Sequence, residues 1–488
     1  ASYNPETATT ARKATGSYYT PREIVDYMVE ESLKEYFKGR LPDIEPEKLD
    51  VLFSYDSDDN PFGEEETSQL ISAINNLKVL DPAVGSGAFP MGVLHKLVHI
   101  LHKLDPHNKR WKDEQIKAVR EAVKDPALRE ELIKKIEEDF TKNELDYGRK
   151  LYLIKNCLYG VDIQPIAIQI AKLRFFISLL VDVKTNSSID PLPNLETNLV
   201  VANTLIKLNK GLQMLPAKLR RINELRDQLF NLRQEYFSTW DNEKKQKLKE
   251  EDRRIRQEMK ALIESYIENT ARKIEPLKRQ LEKVPHEKQL VERVEKDLFE
   301  ERAVMVDLNE LKRQEIQSKI DRLRAEISSY RSLLEDFQKV VDWDPYDTEH
   351  PAQWFDPEWM FGVKSPSEGE GRGEGGFDIV IGNPPYIKEY TNRQAFDGLR
   401  SSPYYQGKMD IWYFFVCVGL DLLKDNGILT FIAQNNWITN FGAKKMRNKV
   451  ITDSIIKKLI DFGSYFIFES SGTQTMIMIF MKDRTTDN

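Results

Sequence analysis

Residues 211–340 hold a single glycine, Gly211, and only three prolines, Pro216, Pro276 and Pro285, among many Leu, Glu, Lys, Arg and Gln residues. So long a stretch with so few chain breakers predicts extended helices. Apolar residues recur there at steps of three and four: Leu219, Ile222, Leu225, Leu229 and Leu232, then Ile316, Ile320, Leu323, Ile327, Tyr330 and Leu334. That is the period of a helix with one buried stripe. Pro285 is expected at a turn between antiparallel helices. The segment carries 29 Lys/Arg against 26 Asp/Glu, leaving 43 against 53 for the rest of the chain. A charge-laced helical surface of this kind serves as a solvated spacer or support more readily than as a DNA clamp.

On either side the pattern changes to short β-branched runs alternating with helices, the signature of a parallel sheet with crossover helices. Strands are expected at 77–80, 158–161, 198–201, 378–381, 428–432, 455–460 and 475–480, and helices at 22–37, 87–104, 165–180 and 411–424. A second, smaller helical insertion is expected at 103–155, and the glycine-rich, acidic stretch 363–376 as a mobile loop. The organisation is therefore an α/β body in two parts, 1–208 and 342–488, separated by a helical insertion at 209–341. At 488 residues the chain has room for about three units of roughly 150 residues, or for one large domain with insertions.

Composition removes several classes of protein. Two cysteines, Cys157 and Cys417, cannot build a disulfide framework or a Cys-rich zinc site, and they point to the cytoplasm. No run approaches 18 apolar residues, and the first 13 residues lack the apolar core of a signal peptide, so no membrane partner is expected. The net charge of −7 means that any nucleic-acid surface must be local. His95, His99 and His102 share a helix with Leu94, Val98 and Leu101 and read as part of its packing, so no metal is expected.

The strand at 77–80 runs into Asp81-Pro82-Ala83-Val84-Gly85-Ser86-Gly87-Ala88-Phe89 and then an apolar helix. Glycines at 85 and 87 remove the Cβ atoms that would hold a ligand off the backbone, and the helix start offers free amides. Such a turn suits a nucleotide-like cofactor, but it also serves simply to pack strand on helix. Asp162, ending the next strand, is placed to accept both hydroxyl hydrogens of a ribose. It follows Asp81 by 81 positions, far more than the 20 or so of a dinucleotide-binding unit, and position 90 is Pro90 where a third glycine would stand. Both features count against NAD, and no Gly-Lys-Ser/Thr follows to make a P-loop.

Phe377-Asp378-Ile379-Val380-Ile381-Gly382 leads into Asn383-Pro384-Pro385-Tyr386. The two prolines end any sheet ladder and stiffen the exit. The Asn383 side-chain oxygen and the Pro384 carbonyl could then each accept one hydrogen of an exocyclic amino group. The ring of Tyr386 could lie flat on the heterocycle bearing that amine. Accepting both hydrogens favours a pyramidal, nucleophilic nitrogen, and the contacts strengthen as positive charge develops.

Thr20-Pro21, DPAVGSGAFP at 81–90, Asp162, Ala202-Asn203-Thr204-Leu205, IGNPPY at 381–386 and Phe468 together resemble the gamma class of S-adenosylmethionine-dependent adenine-N6 DNA methyltransferases. More narrowly they resemble the methylase portion of type IIG restriction-modification enzymes, over residues 12–208 and 342–481. The resemblance implies a Rossmann-like, seven-stranded α/β methyltransferase sheet carrying a long coiled-coil-like helical insertion. It implies S-adenosyl-L-methionine as cofactor, with Tyr19, Thr20 and Pro21 near its methionine end and Asp81, Ala83, Gly85 and Gly87 as its cradle. Asp162 would hold the ribose, Ile163 would pack on the adenine, and Asn203, beside Thr204, would bond the adenine amino group. Asn383, Pro384, Pro385 and Tyr386 would be catalytic, with Phe468 stacking on the target base opposite Tyr386. Duplex DNA would be the partner, with its target base flipped out. The family's recognition domain has no counterpart here, so a further domain or a separate specificity subunit is expected, and no nuclease site is evident.

Rival readings remain. Cytosine-C5 methylation needs a cysteine nucleophile, and neither cysteine follows a proline in a motif loop. Cytosine-N4 methylation uses the same kind of amine, protein glutamine methyltransferases share Asn-Pro-Pro-Tyr, and a non-catalytic nucleic-acid-binding scaffold could keep a methylase-like core.

Overall fold

The computed structural model describes residues 3–4, 9–10, 19–122, 126, 129–130, 132–134, 136–137, 145–182, 194–208, 220–239, 241–296, 301–366, 375–468 and 474–483. The chain divides into two compact units, one comprising residues 1–207, 237–240 and 345–488 and the other 208–236 and 241–344.

The first unit is built on a seven-stranded sheet. Its strands are β1 (Val79–Asp81), β2 (Leu158–Asp162), β3 (Leu199–Val201), β4 (Phe377–Gly382), β5 (Leu423–Gln434), β6 (Ser454–Asp461) and β7 (Thr475–Lys482), ordered β6-β7-β5-β4-β1-β2-β3. The five strands from β3 to β5 run parallel, and β7 alone is antiparallel to its neighbours β5 and β6. This is the Rossmann-like methyltransferase sheet expected from the sequence. All seven strands fall within a few residues of their expected positions. The largest departure is β5, which starts at Leu423, where a helix through 424 was expected. The helix ends at Leu422 because Leu423 already turns extended, with φ −74° and ψ 148°, and within the strand Asn426 takes a left-handed φ of 63° near the register shift between Phe377 and Ile379.

Helices cover both faces. On one lie α1 (Arg22–Arg40), α2 (Ala88–Leu104) and α3 (Pro165–Leu180), and against the other lie α4 (Trp412–Leu422) and α5 (Lys444–Asp453). Alternate residues of β5 show the two faces. Thr430 meets Ser32 of α1, their hydroxyls 2.7 Å apart, while Leu429 and Phe431 face Gly419 of α4, where an added Cβ would lie 2.7 Å from Leu429. Met28, Leu33 and Phe37 of α1 are fully buried, each stabilising the fold by roughly 2 kcal/mol. Pro165 starts α3 with its φ already set and no amide to waste.

The helix Leu145–Asn156, expected within an insertion, is instead part of this core. Leu153 and Ile154 are buried, and Tyr152 meets the ring of buried Trp111 edge-on at 5.1 Å. At the base of β4 the buried carboxylate of Asp378 collects Arg40 at 2.8 Å, Lys424 at 2.9 Å and the Lys78 amide at 2.8 Å. Among the described residues no helix is long and apolar enough to cross a membrane.

The second unit holds most of the expected helices: Arg220–Ser238, which ends in the first unit, then Asn242–Arg272, Ile274–Lys283 and Leu308–Asp342. Ile320 and Ile327 of the predicted stripe are buried against Ile274, with Ile316 and Leu323 packed alongside. Leu219 lies outside the described residues, as do 367–374 of the glycine-rich stretch. Asp252 sits between Arg233 at 2.8 Å and Arg256 at 2.6 Å. Burial pushes its carboxyl up, but the two guanidinium groups outweigh burial and hold it below the usual range.

One expectation for this unit fails. Pro285 does not join two helices directly, because an antiparallel ribbon of Leu290–Lys296 and Glu301–Asp307 stands between them. Val291, Val294, Val304 and Val306 supply the β-branched residues such a ribbon needs, and the surrounding Glu, Lys and Arg residues hid the alternation inside a helix-like composition.

Candidate active site

The parallel strands deliver their carboxyl ends to one edge of the sheet, where ligands of open α/β folds bind. Asp81 ends β1 and is buried, with its Oδ1 accepting the Ala83 N–H at 3.1 Å. Gly85 and Gly87 take left-handed φ values of 52° and 80°. A Cβ on Gly87 would lie 3.1 Å from Ala171 Cβ of α3, so this glycine serves conformation and packing together. At the end of β2, Asp162 clasps the same turn, accepting from the Gly85 N–H at 2.9 Å and from the Gln164 N–H at 2.8 Å. Burial pushes both carboxyls up, Asp81 strongly and Asp162 against the pull of its backbone donors.

Beyond β3, Asn203 turns its Oδ1 to the Leu205 N–H at 3.2 Å. Buried Thr204 donates its hydroxyl to the Pro82 carbonyl at 2.7 Å, tying β3 to the turn after β1. Ile163 and Tyr19, expected near the cofactor, are 50% and 69% exposed.

The exit of β4 joins this turn directly. A Cβ on Gly382 would lie 2.7 Å from Asp81 Oδ1, so the carboxylate is pressed against the strand that presents Asn383. The importance of Gly382 was readable only as a letter of IGNPPY; its reason is this contact. Asn383 donates from Nδ2 to Thr20 Oγ1 at 3.1 Å, and its Oδ1 accepts from the Tyr386 hydroxyl at 2.8 Å. That hydroxyl also lies 3.1 Å from the Ile432 carbonyl on β5. Thr20 is buried and Pro21 caps α1, so the segment before the first helix is fixed to the strand exit.

Tyr386 and Phe468 do come together, but as a contacting edge-on pair with centroids 6.3 Å apart and planes at 65°. The sequence suggested two faces flanking a base. Instead Phe468 is 4% exposed, whereas Tyr465 nearby is 71% exposed.

Sequence reasoning passed over Asp410. The chain after Tyr386 bridges back to it, with Lys388 opposite Asp410 and the Ile411 N–H donating to the Ile387 carbonyl at 2.9 Å. Asp410 is 2% exposed, and neither carboxyl oxygen has a hydrogen-bond partner among the described residues. Burial pushes its carboxyl up to about 6 against the nearby amides of Ile387, Ile411 and Trp412, none of which reaches hydrogen-bond geometry. No sequence signal marked this aspartate, since it stands alone between Met409 and Ile411.

Residues 156–468 match the model of the Eco57I restriction-modification methylase family. Over 504 aligned residues the chain is 26% identical to RM.MjaORFECS2P of Methanocaldococcus jannaschii, a protein described as a type II restriction enzyme and methyltransferase, covering 96% of this chain and 36% of that protein. A 114-residue stretch is 29% identical to the type II restriction enzyme and methyltransferase RM.Eco57I of Escherichia coli, covering 22% of this chain and 11% of that protein. Among solved structures, a nuclease-deletion mutant of the type ISP restriction-modification enzyme LlaGI in complex with a DNA substrate mimic is 12% identical with a TM-score of 0.38, covering 97% of this chain and 23% of that one. The chain thus spans about a third of the length of the archaeal relative.

The cofactor of such a methylase is S-adenosylmethionine. The head of the sheet fits it: two glycines in left-handed conformation open the turn, and a carboxylate at the end of β2 borders it.

Proposed function

The chain belongs to the Eco57I restriction-modification methylase family, and on that premise we propose that it methylates the N6 amino group of adenine in DNA. The observation that carries this reading is Asn383, held at the exit of β4 by Thr20 on one side and Tyr386 on the other, beside the Asp81 turn. Bound S-adenosylmethionine supplies an electrophilic methyl group on sulfur. Asp162 and the backbone of Ala83, Gly85 and Gly87 border its place, with Tyr19, Pro21, Ile163, Asn203 and Thr204 around them.

Asn383 Oδ1 and the Pro384 carbonyl accept the two hydrogens of the target amine and turn its lone pair outward. The Tyr386 hydroxyl carries one hydrogen and has two acceptors in reach, Asn383 Oδ1 and the Ile432 carbonyl. Giving that hydrogen to Ile432 frees Oδ1 for the amine without moving either side chain. Pro385 keeps the corner rigid, and Tyr386, backed edge-on by the buried Phe468, forms the aromatic wall on which an extruded purine stacks, offsetting part of the few kcal/mol of unstacking.

The test is transfer of labelled methyl groups to mixed-sequence duplex DNA, followed by digestion to nucleosides. Label in N6-methyldeoxyadenosine is the expected result. Label in N4-methyldeoxycytidine would replace this reading with cytosine-N4 transfer, and binding of DNA without transfer would favour a scaffold.

A further inference from the structure

Two segments at the catalytic edge of the sheet are strongly basic in an acidic chain. Residues 388–409, which follow Tyr386, and residues 435–452, which follow β5, together hold eight Lys/Arg against two Asp/Glu, whereas the whole chain has a net charge of −7. The second segment contains no acid at all. Part of this charge is structural: Lys449 binds Asp421 and Asp453, and Arg400 binds Asp397. Lys408 and Lys444 are different. Both are exposed, and among the described residues neither makes an ion pair. Nor does Lys444 serve its helix, since a cation in the first turn opposes the helix dipole.

The fold locks the two segments together. Gly442 abuts the Gly407-Lys408 turn so closely that a Cβ there would lie 2.1 Å from the Lys408 carbonyl, and Lys445 donates to the Pro403 carbonyl at 2.8 Å. The Glu389 N–H donates to the Met409 carbonyl at 2.9 Å, which brings Tyr390 beside the same turn. Tyr390 and Phe441 are 74% and 63% exposed, so two large rings stand in solvent among lysines. The surface continues into the site, because 435–452 begins three residues past Ile432, the partner of Tyr386.

We propose that this surface grips the DNA backbone beside the target base, with Lys408 and Lys444 on phosphates and Phe441 and Tyr390 against bases unstacked by the extrusion; the proposal rests on the reading of the chain as a DNA methylase. A cationic surface tracking the backbone and exposed rings for bases are the two elements of locally single-stranded DNA binding.

The experiment measures binding of the full chain to a mixed-sequence duplex by fluorescence anisotropy over a series of salt concentrations, without turnover. Loss of each phosphate contact should flatten the slope of log K against log salt by about 0.9. Lys408→Ala with Lys444→Ala should therefore flatten it by about 1.8, while Lys312→Ala with Arg322→Ala, two exposed cations of the helical unit, should leave it unchanged. Phe441→Ala should weaken binding of a duplex with an unpaired target base roughly tenfold. Heat of cofactor binding equal to that of the parent chain shows that the variants are folded. An unchanged slope in the Lys408/Lys444 variant, an equal loss in the helical-unit variant, or no salt-dependent binding by the parent chain would overturn the proposal. Label appearing on cytosine would sink the adenine reading and leave this one standing.

Discussion

Thr20 and Asn383 are 363 positions apart in sequence and 3.1 Å apart in space, the asparagine amide donating to the threonine hydroxyl. The contact fixes which way the Asn383 carbonyl oxygen points, so the segment before α1 orients the amide proposed to receive the target amine.

Thr20→Val keeps the shape and removes the acceptor. A half-buried amide N–H without its partner costs about 1–3 kcal/mol. If that cost falls on the orientation of Asn383, the single-turnover methylation rate drops roughly tenfold with little change in DNA affinity. A rate equal to wild type would show that Thr20 only packs.

Tyr386→Phe keeps the ring and releases Asn383 Oδ1 from the hydroxyl 2.8 Å away. Transfer should stay within a few-fold of wild type, whereas Tyr386→Ala should weaken binding of an extruded base by about 1–3 kcal/mol. The fluorescence of 2-aminopurine at the target position reads the difference, and equal losses in the two variants would assign the hydroxyl an active part.

Gly382→Ala places a methyl group 2.7 Å from Asp81 Oδ1 in the middle of the sheet. Neither the strand nor the buried carboxylate has room to yield, so the urea midpoint should fall by the equivalent of about 1–3 kcal/mol. Calorimetry should show weaker cofactor binding as well, since Asp81 also holds the Ala83 amide. Unaltered stability would mean that the strand exit is looser than this contact implies.

Asp410 gives a pH dependence whose sign is fixed. Its carboxyl titrates near 4 in the unfolded chain and at about 6 when buried. Between those values the folded protein keeps a proton that the unfolded chain has lost. Stability from this group is therefore full below about pH 4, falls as pH rises to about 6, and is level above. The loss is about 3 kcal/mol. Asp410→Asn removes it, so the variant should gain on wild type in urea between about pH 4 and pH 7. A constant difference between the two proteins across that range would contradict the assignment.

The sheet was legible because each of its strands is a short β-branched run between glycine, proline or polar punctuation, as in Phe377–Gly382 before Asn383-Pro384. The glycine turn and the Asn-Pro-Pro-Tyr corner could be read for the same reason, since both are chains of backbone constraint. What could not be read was pairing at a distance. Nothing in the sequence joins Thr20 to Asn383, sets Asp81 against Gly382, or turns the Phe468 ring edge-on to Tyr386. The ribbon at 290–307 was missed because its valines are diluted by charges that helices favour equally.

β7, the last of these seven strands in sequence, stands inside the sheet, between β5 and β6. During synthesis β6 therefore has no ladder to join until Thr475–Lys482 has emerged, and the outer edge of β5 stays bare until then. Non-local closure of this kind is slow, because loop entropy must be lost before the contacts form. Ile432 on β5 lies 3.1 Å from the Tyr386 hydroxyl, so the ring at the exit of β4 leans on a strand whose outer edge is covered only when β7 pairs with it.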